Sequence, residues 1–105
     1  MYFDVRNLDE VSRIYTEIVA HIAKCGDRPV HWYAGVAKDS RARLFVQHNV
    51  SEQFGAWIIR TCSNDQTART IEKKLLAYGC QGGSGGGDEQ TTAVYAYRIT
   101  STTVQ

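Results

Sequence analysis

Short apolar runs typical of strands alternate along this chain with segments that have the apolar spacing of a helix, and this alternation constrains the fold more than any other feature. In residues 8–24, apolar side chains recur every three or four positions, which predicts a helix with one face on a core. Asn7 and Glu10 resemble a capping box at its start. Gly26 and Pro29 prevent the helix from continuing.

The rest of the chain continues this alternation. Apolar, β-branched and aromatic residues predict strands at residues 2–6, 30–37, 56–62 and 93–100. A second helix is predicted after a cap at residues 39–40, and a third from a cap at residues 63–64 to about residue 78. Gly35, inside the second predicted strand, indicates close approach of another part of the chain. The order (β)-α-β-α-β-α-β predicts one compact α/β or α+β domain over residues 1–105, with helices packed against a small sheet.

Composition narrows the class of protein. Apolar residues make up 43% of the chain and charged residues 22%, as in ordinary globular domains, and no segment approaches the length of a membrane span. There are three cysteines and no CxxC spacing, so we expect no disulfide framework and a cytoplasmic location. Residues 80–92 hold five of the nine glycines and are predicted to form a flexible loop.

Charge gives only a weak indication of a nucleic-acid partner. The formal net charge is +1, which implies no strong general affinity for a phosphate backbone. Residues 31–87, however, hold seven basic and four acidic side chains, a local charge of +3. The sequence therefore allows a basic face formed by the middle of the chain.

Glu72 is placed unusually for a carboxylate on the third predicted helix. It lies four residues after Ala68 and three before Leu75, at the edge of the apolar stripe. Burying a carboxylate is costly unless a cation or a donor meets it. Glu72 is therefore either a rim residue paired with Arg69 or a metal-binding carboxylate that faces a cleft.

The order of motifs in residues 31–79 resembles the GIY-YIG nuclease family. YAGVAKDSRARL is similar to the family's second signature, which is Tyr-x-Gly, a short turn and a basic helix of the form R-x-R-L. The excision-repair version of this signature is the most similar. AWIIRTC looks like the family's third strand, and TARTIEKKLL looks like its later helix with an Ala-x-x-x-Glu pattern.

The resemblance implies an α+β fold, with a small, mainly antiparallel sheet and about three helices, and a Mg²⁺- or Mn²⁺-dependent endonuclease acting on DNA or RNA. Tyr33 would help to deprotonate or orient the attacking water. Arg43 would stabilise charge on the phosphate, and Glu72 would hold a single divalent ion. His48 lies near the family's helix histidine or tyrosine, but at five residues from Arg43 it is one residue late for a regular helix. Two further cations would steer the nucleic-acid backbone: Lys38 and Arg41.

The family's first signature, GIY, is missing from its usual place before Tyr-x-Gly. The only similar stretch is AVYAYRIT at residues 93–100. Tyr95 would supply the missing tyrosine if this last strand lies beside Tyr33, in a circularly permuted arrangement. The family's late asparagine has no clear counterpart, and Val36 stands where the excision-repair version has lysine.

Two other interpretations remain open from the sequence. The chain could be a non-catalytic module on the same scaffold that binds nucleic acid or a protein partner, or an unrelated small interaction domain. Convergence of Tyr33, Tyr95, Arg43 and Glu72 on one cleft would favour the nuclease. Pairing of Glu72 with Arg69 alone would count against it.

Overall fold

The computed structural model of the chain describes residues 5–83 and 88–105, with the side chains of residues 5–8 outside the description. Helix α1 spans Val5–Lys24. Residues 2–4 of the first predicted strand lie outside the described residues, and residues 5 and 6 are helical, so the strand prediction is wrong for them. The capping-box prediction is also wrong, because Asn7 lies inside α1.

Glu10 stabilises a contact between distant segments instead of the start of its own helix. Its Oε1 accepts a hydrogen bond of 2.7 Å from the Ser63 backbone N–H, and its Oε2 accepts one of 2.5 Å from the Ser63 hydroxyl. These bonds hold the pKa of Glu10 below its usual value. The acidic residue therefore fixes α1 to the segment that precedes the second long helix.

Helix α2 spans Asp65–Tyr78 and begins and ends as its local chemistry predicts. The Asn64 side chain accepts a hydrogen bond of 2.8 Å from the Thr67 backbone N–H, which satisfies one free N–H of the first turn. The helix ends at Gly79, whose φ of 130° favours glycine. Both caps agree with the predicted limits.

Among the described residues, three strands form the sheet: β1 at Trp32–Ala37, β2 at Trp57–Thr61 and β3 at Ala93–Arg98. A short 3₁₀ turn at Pro29–His31 precedes β1. The strand order is β1-β3-β2 and both pairs are antiparallel. The structure is therefore a small α+β fold with an antiparallel sheet.

The two faces of the sheet have different partners, because alternate side chains of a strand point to opposite sides. One face packs against α1 and α2 around the fully buried Trp32, Val94 and Ala96. The other face carries Tyr95 and Tyr97 and packs against the segment that follows β1. The candidate site is built on this second face.

That segment contains a π-helix at Ala42–Gln47 where a regular helix was predicted. Its entry is capped as predicted, since the Asp39 carboxylate accepts a hydrogen bond of 3.1 Å from the Ala42 backbone N–H. Leu44 is fully buried under the sheet. The buried leucine anchors the π-helix against the tyrosine face.

The outer edge of β1 is partly covered by residues that were predicted to be loop. Ala34 donates its backbone N–H to the Gln81 carbonyl, and Gln81 donates its own to the Trp32 carbonyl, both at 2.8 Å. Residue 81 therefore extends the sheet, and the loop prediction is wrong there. Residues 84–87 of the predicted loop lie outside the described residues.

The three cysteines are free thiols, as the sequence predicts. Burial raises the pKa of Cys62 and of Cys80, each to about 11, so both thiols stay protonated in the core. Across residues 5–83 and 88–105, no helix combines the length and the apolar character that a bilayer crossing requires.

Candidate functional site

The tyrosine face brings together three of the residues that the sequence singles out. Tyr33 on β1 lies opposite Tyr97 on β3 in the sheet register, and Tyr95 lies opposite Gly35. The Tyr33 ring lies 4.8 Å from the His48 ring and 6.5 Å from the Tyr95 ring, between ring centroids. The last strand therefore lies beside β1, which is the condition set for Tyr95 to stand near Tyr33.

The His48 ring has three hydrogen-bond contacts: one joins its Nδ1 to the Tyr97 hydroxyl at 3.0 Å, and the other two fix its tautomer. Its Nδ1 lies 2.6 Å from the Val104 carbonyl oxygen, and a carbonyl can only accept, so Nδ1 carries the proton. Its Nε2 lies 2.9 Å from the Tyr95 hydroxyl and must then accept from it. The Tyr97 hydroxyl donates to the same Val104 carbonyl at 3.3 Å. The buried ring is thus held from both sides.

The ionisation of this cluster follows from its burial. Burial lowers the pKa of His48, and the nearby Arg43 lowers it further, against the opposing effect of the Val104 carbonyl. Burial raises the pKa of Tyr95 well above its usual value, and Tyr33 also raises it. His48 is therefore a neutral acceptor at neutral pH and Tyr95 a protonated donor.

Arg43 and Glu72 both lie close enough to Tyr95 to shift its pKa. The Arg43 guanidinium lowers that pKa, while the Glu72 carboxylate raises it. The Arg43 side chain is exposed and can meet a ligand, whereas Tyr95 is 1% exposed. Direct contacts join Tyr33, His48 and Tyr95, whereas Arg43 and Glu72 are linked to this group through their charges.

The π-helix places His48 one turn after Arg43, on the same side of the segment. The His48 backbone N–H donates to the Arg43 carbonyl at 2.8 Å, and this bond joins residues five apart. In a π-helix residue i+5 stands one turn above residue i. The wider turn therefore accounts for the spacing of five residues between Arg43 and His48, which is one residue too long for a regular helix.

Glu72 has a buried carboxylate without the predicted partner. Its residue is 8% exposed, and the Arg69 guanidinium pairs with Asp65 instead, at 3.6 Å. Among the side chains of residues 9–83 and 88–105, the structure shows no hydrogen bond or ion pair to Glu72. Burial raises the pKa of Glu72, and the charges of Arg69 and Lys73 only partly offset this.

A divalent ion at Glu72 would have few other protein ligands. Among the described residues, no three His, Cys, Asp or Glu side chains lie close enough together to share an ion. Mg²⁺ is commonly held by one or two carboxylates and several waters. A single buried carboxylate that lacks a protein partner among the described residues fits this kind of site.

The two predicted steering cations differ in their surroundings. Lys38 is exposed at the end of β1. Arg41 forms an ion pair with Glu52 and lies over the Phe45 ring at 5.1 Å. Part of the positive charge of Arg41 is therefore already compensated.

Two participants in the site were not assigned a role from the sequence, Tyr97 and Val104, whereas Gly35 was expected to allow a close approach. A Cβ atom on Gly35 would lie 2.5 Å from the Tyr95 Oη, so the close approach predicted from this glycine is that of Tyr95. Tyr97 had a signal, since it shares a strand face with Tyr95. Val104 had none, because it contributes a backbone carbonyl.

Comparison of the chain with protein-family models, with curated proteins and with solved structures finds no match. The chemistry of the site must therefore be judged from its own geometry.

Proposed function

We propose that the chain is a metal-dependent phosphodiesterase of the GIY-YIG type that cleaves nucleic acid. The observation that carries the proposal is the packing of Tyr33 beside Tyr95 and His48 on one face of the sheet, where the charges of Arg43 and Glu72 also act on the Tyr95 hydroxyl. The position of β3 beside β1 also supports it, since a circularly permuted first motif requires that neighbour. The sheet order and the side chains favour the same assignment independently.

Arg43 is the group we assign to the phosphate. Its planar guanidinium can donate to two phosphate oxygens at once, and its side chain is open to solvent. The buried hydrogen bonds from Tyr95 to His48 and from His48 to the Val104 carbonyl would hold the tyrosine face rigid while Arg43 binds the phosphate. Tyr95 and His48 are thus positioning residues in this proposal, and Arg43 touches the substrate.

Tyr33 and Glu72 complete the reaction. The hydroxyl of the half-buried Tyr33 would orient a water whose oxygen forms a bond to phosphorus while the bond from phosphorus to the leaving oxygen breaks, and the proton that the water loses would pass through solvent to the leaving oxygen. Glu72 would hold the divalent ion, which supplies Lewis-acid stabilisation of the phosphate and the leaving oxygen when bound. The unfavourable burial of the Glu72 carboxylate would be relieved by that positive charge.

A non-catalytic nucleic-acid-binding module is the second candidate. The burial of Glu72, at 8% exposure, favours it, because an ion held by that residue must also reach the substrate. Val36, where the excision-repair signature has lysine, also favours it.

The test is cleavage of labelled single-stranded, duplex and branched DNA and RNA with Mg²⁺ or Mn²⁺. We expect metal-dependent cleavage, which Glu72→Gln reduces by roughly a hundredfold or more, since metal stabilisation of several kcal/mol is lost. Glu89→Gln, at an exposed carboxylate, is the matched control and should cleave like the wild type.

Two results would argue against the nuclease. Cleavage that Glu72→Gln leaves intact would remove the metal assignment. Absence of cleavage by folded protein, with binding that Arg43→Ala abolishes, would favour the binding module.

A further inference from the structure

An open cleft of about 690 Å³ lies along the outer edge of β1, beside the Tyr33 hydroxyl. Its lining includes one aromatic ring, one aliphatic side chain, two amides and two glycines: Tyr33, Leu76, Gln81, Gln105, Gly82 and Gly83. Among the residues that the structure describes, none with a charged side chain lines the cleft. A phosphate would find no cation there, so the lining suits a neutral, flat group that can also form hydrogen bonds.

The two amides present a fixed hydrogen-bonding edge. The Gln81 Nε2 donates to the Val30 carbonyl at 2.8 Å, and its Oε1 accepts from the Gln105 Nε2 at 3.1 Å. The side-chain amide oxygen of Gln105, Oε1, has no partner among the described residues. It can therefore accept a hydrogen bond from a ligand. An amide edge beside Tyr33 and Leu76 is the combination that binds a nucleobase by its face and its polar edge.

The glycines keep the cleft open next to the candidate reaction site. A Cβ atom on Gly82 would lie 2.7 Å from the Ala34 carbonyl oxygen, so the backbone there is pressed against β1. A Cβ atom on Gly83 would meet the Tyr33 Oη at 3.6 Å, an ordinary contact distance. A side chain at position 83 would therefore enter the cleft without striking the sheet.

We propose that this cleft binds an unpaired nucleobase of the nucleic acid whose phosphate Arg43 meets, and that single strands are the preferred substrate. In a duplex, each base is stacked and its pairing edge is occupied, so only an unpaired or extruded base could enter. The inference rests on the proposed function for the class of ligand. It adds the substrate's strandedness and the place where a base is held.

The test measures binding of the Glu72→Gln protein to labelled ten-residue oligonucleotides without metal, so that cleavage plays no part. The probes are a mixed-sequence single strand, its duplex, and a chain of abasic sugar-phosphates of the same length. We expect the single strand to bind about tenfold more tightly than the abasic chain, the scale of one base stacked on an aromatic ring. The duplex should bind no more tightly than the abasic chain.

Two variants link this difference to the cleft. Gly83→Leu should fill it and reduce binding of the single strand to the level of the abasic chain, while Ala20→Leu, at an exposed site on α1, should not. Gln105→Ala keeps the backbone unchanged and should weaken single-strand binding about threefold, compared with Gln66→Ala on the surface of α2. The second pair keeps the test decisive if Gly83→Leu folds poorly.

Equal binding of the normal and abasic strands, tighter binding of the duplex, or no binding at all would overturn the inference. So would cleft variants that bind like their controls. The proposed function fails separately: metal-dependent cleavage with no base preference would leave the nuclease standing without the base site. Base-dependent binding without cleavage would keep the base site and remove the nuclease.

Discussion

At the scale of single residues, His48 connects the strands, the π-helix and the tail of the chain. Its ring accepts from Tyr95 and donates to Val104, and its backbone carbonyl accepts from the Val104 N–H at 2.8 Å. A neutral imidazole is the only common side chain that donates on one side and accepts on the other within a flat, mainly apolar ring. Its protonation would leave Nε2 as a second donor facing the Tyr95 hydroxyl.

This arrangement makes stability depend on pH. The unfolded histidine has a pKa near 6.5 and the folded one a lower pKa, so below about pH 6.5 the unfolded chain binds more protons. The contribution of His48 to the free energy of unfolding should therefore be fully present above that pH. It should be lost as the pH falls towards 5. His48→Gln should cost roughly 1–3 kcal/mol at pH 7 and weaken this dependence, as measured by urea unfolding at pH 7, 6 and 5.

His21 provides the comparison for that measurement. Burial lowers its pKa as well, so His21→Gln should remove a separate part of the same pH dependence. An unchanged slope in His48→Gln would contradict the neutral tautomer assigned here.

Gly35 is the second residue at which a small change should have a large effect. A methyl group there would lie 2.5 Å from the Tyr95 Oη and 2.7 Å from its Cζ, inside the buried face. We expect Gly35→Ala to lower the free energy of unfolding by roughly 1–3 kcal/mol. In a Tyr95→Leu background the same substitution should cost much less, because the ring it strikes is gone. Thermal or urea unfolding of the four proteins measures this coupling, and additive costs would count against the contact.

At the scale of elements, the π-helix is the feature that departs most from regular secondary structure. Deleting Val46, which is 76% exposed, would leave Arg43 and His48 four residues apart, the spacing of an α-helix. We expect this protein to fold, with stability within about 1 kcal/mol of the wild type and the bond from Tyr95 to His48 retained in the NMR shifts of the His48 ring nitrogens.

Deleting Thr70, an exposed residue of the regular helix α2, is the matched control. It should rotate Leu75 out of the core and destabilise the protein strongly. If the Val46 deletion proves equally damaging, the π turn is needed for more than its spacing.

The elements differ in how far their sequence alone predicts them. Both ends of α2 follow from local chemistry, because the cap at Asn64 and the stop at Gly79 act within one turn. The start of α1 does not, since Glu10 is engaged by Ser63, 53 residues away. The π turn could be inferred only from the odd spacing of His48, which by itself fits a helix end equally well.

At the scale of the whole molecule, the site could be predicted only in part. Motif order predicts Tyr33, Arg43 and Glu72 as candidates, and the position of Tyr95 follows only if the strand order is known. The alternation of apolar and polar residues does not predict that order. In any strand order, β3 would bury the same side chains. The bond from His48 to Val104 spans 56 residues and uses a backbone carbonyl that any residue type supplies.

The central position of β3 should appear in the dynamics of the protein. It pairs with β1 on one side and with β2 on the other, and its side chains from Ala93 to Tyr97 are all buried. We expect its amide protons to exchange with deuterium only through global unfolding, more slowly than the outward-facing amides of β2. Exchange of β3 amides at the rate of those edge amides would contradict the strand order.

The strand order also has a consequence for folding of the chain during its synthesis on the ribosome. The two outer strands emerge first, parallel to each other and separated by a gap one strand wide, which only the last strand can close. Until residues 93–98 appear, both have unpaired edges next to exposed apolar faces, the condition in which nascent chains bind chaperones or aggregate. For the same reason, a synthetic peptide that contains β3 could complete a chain that ends before residue 93. The protein could therefore be divided at this position into the two fragments of a complementation reporter.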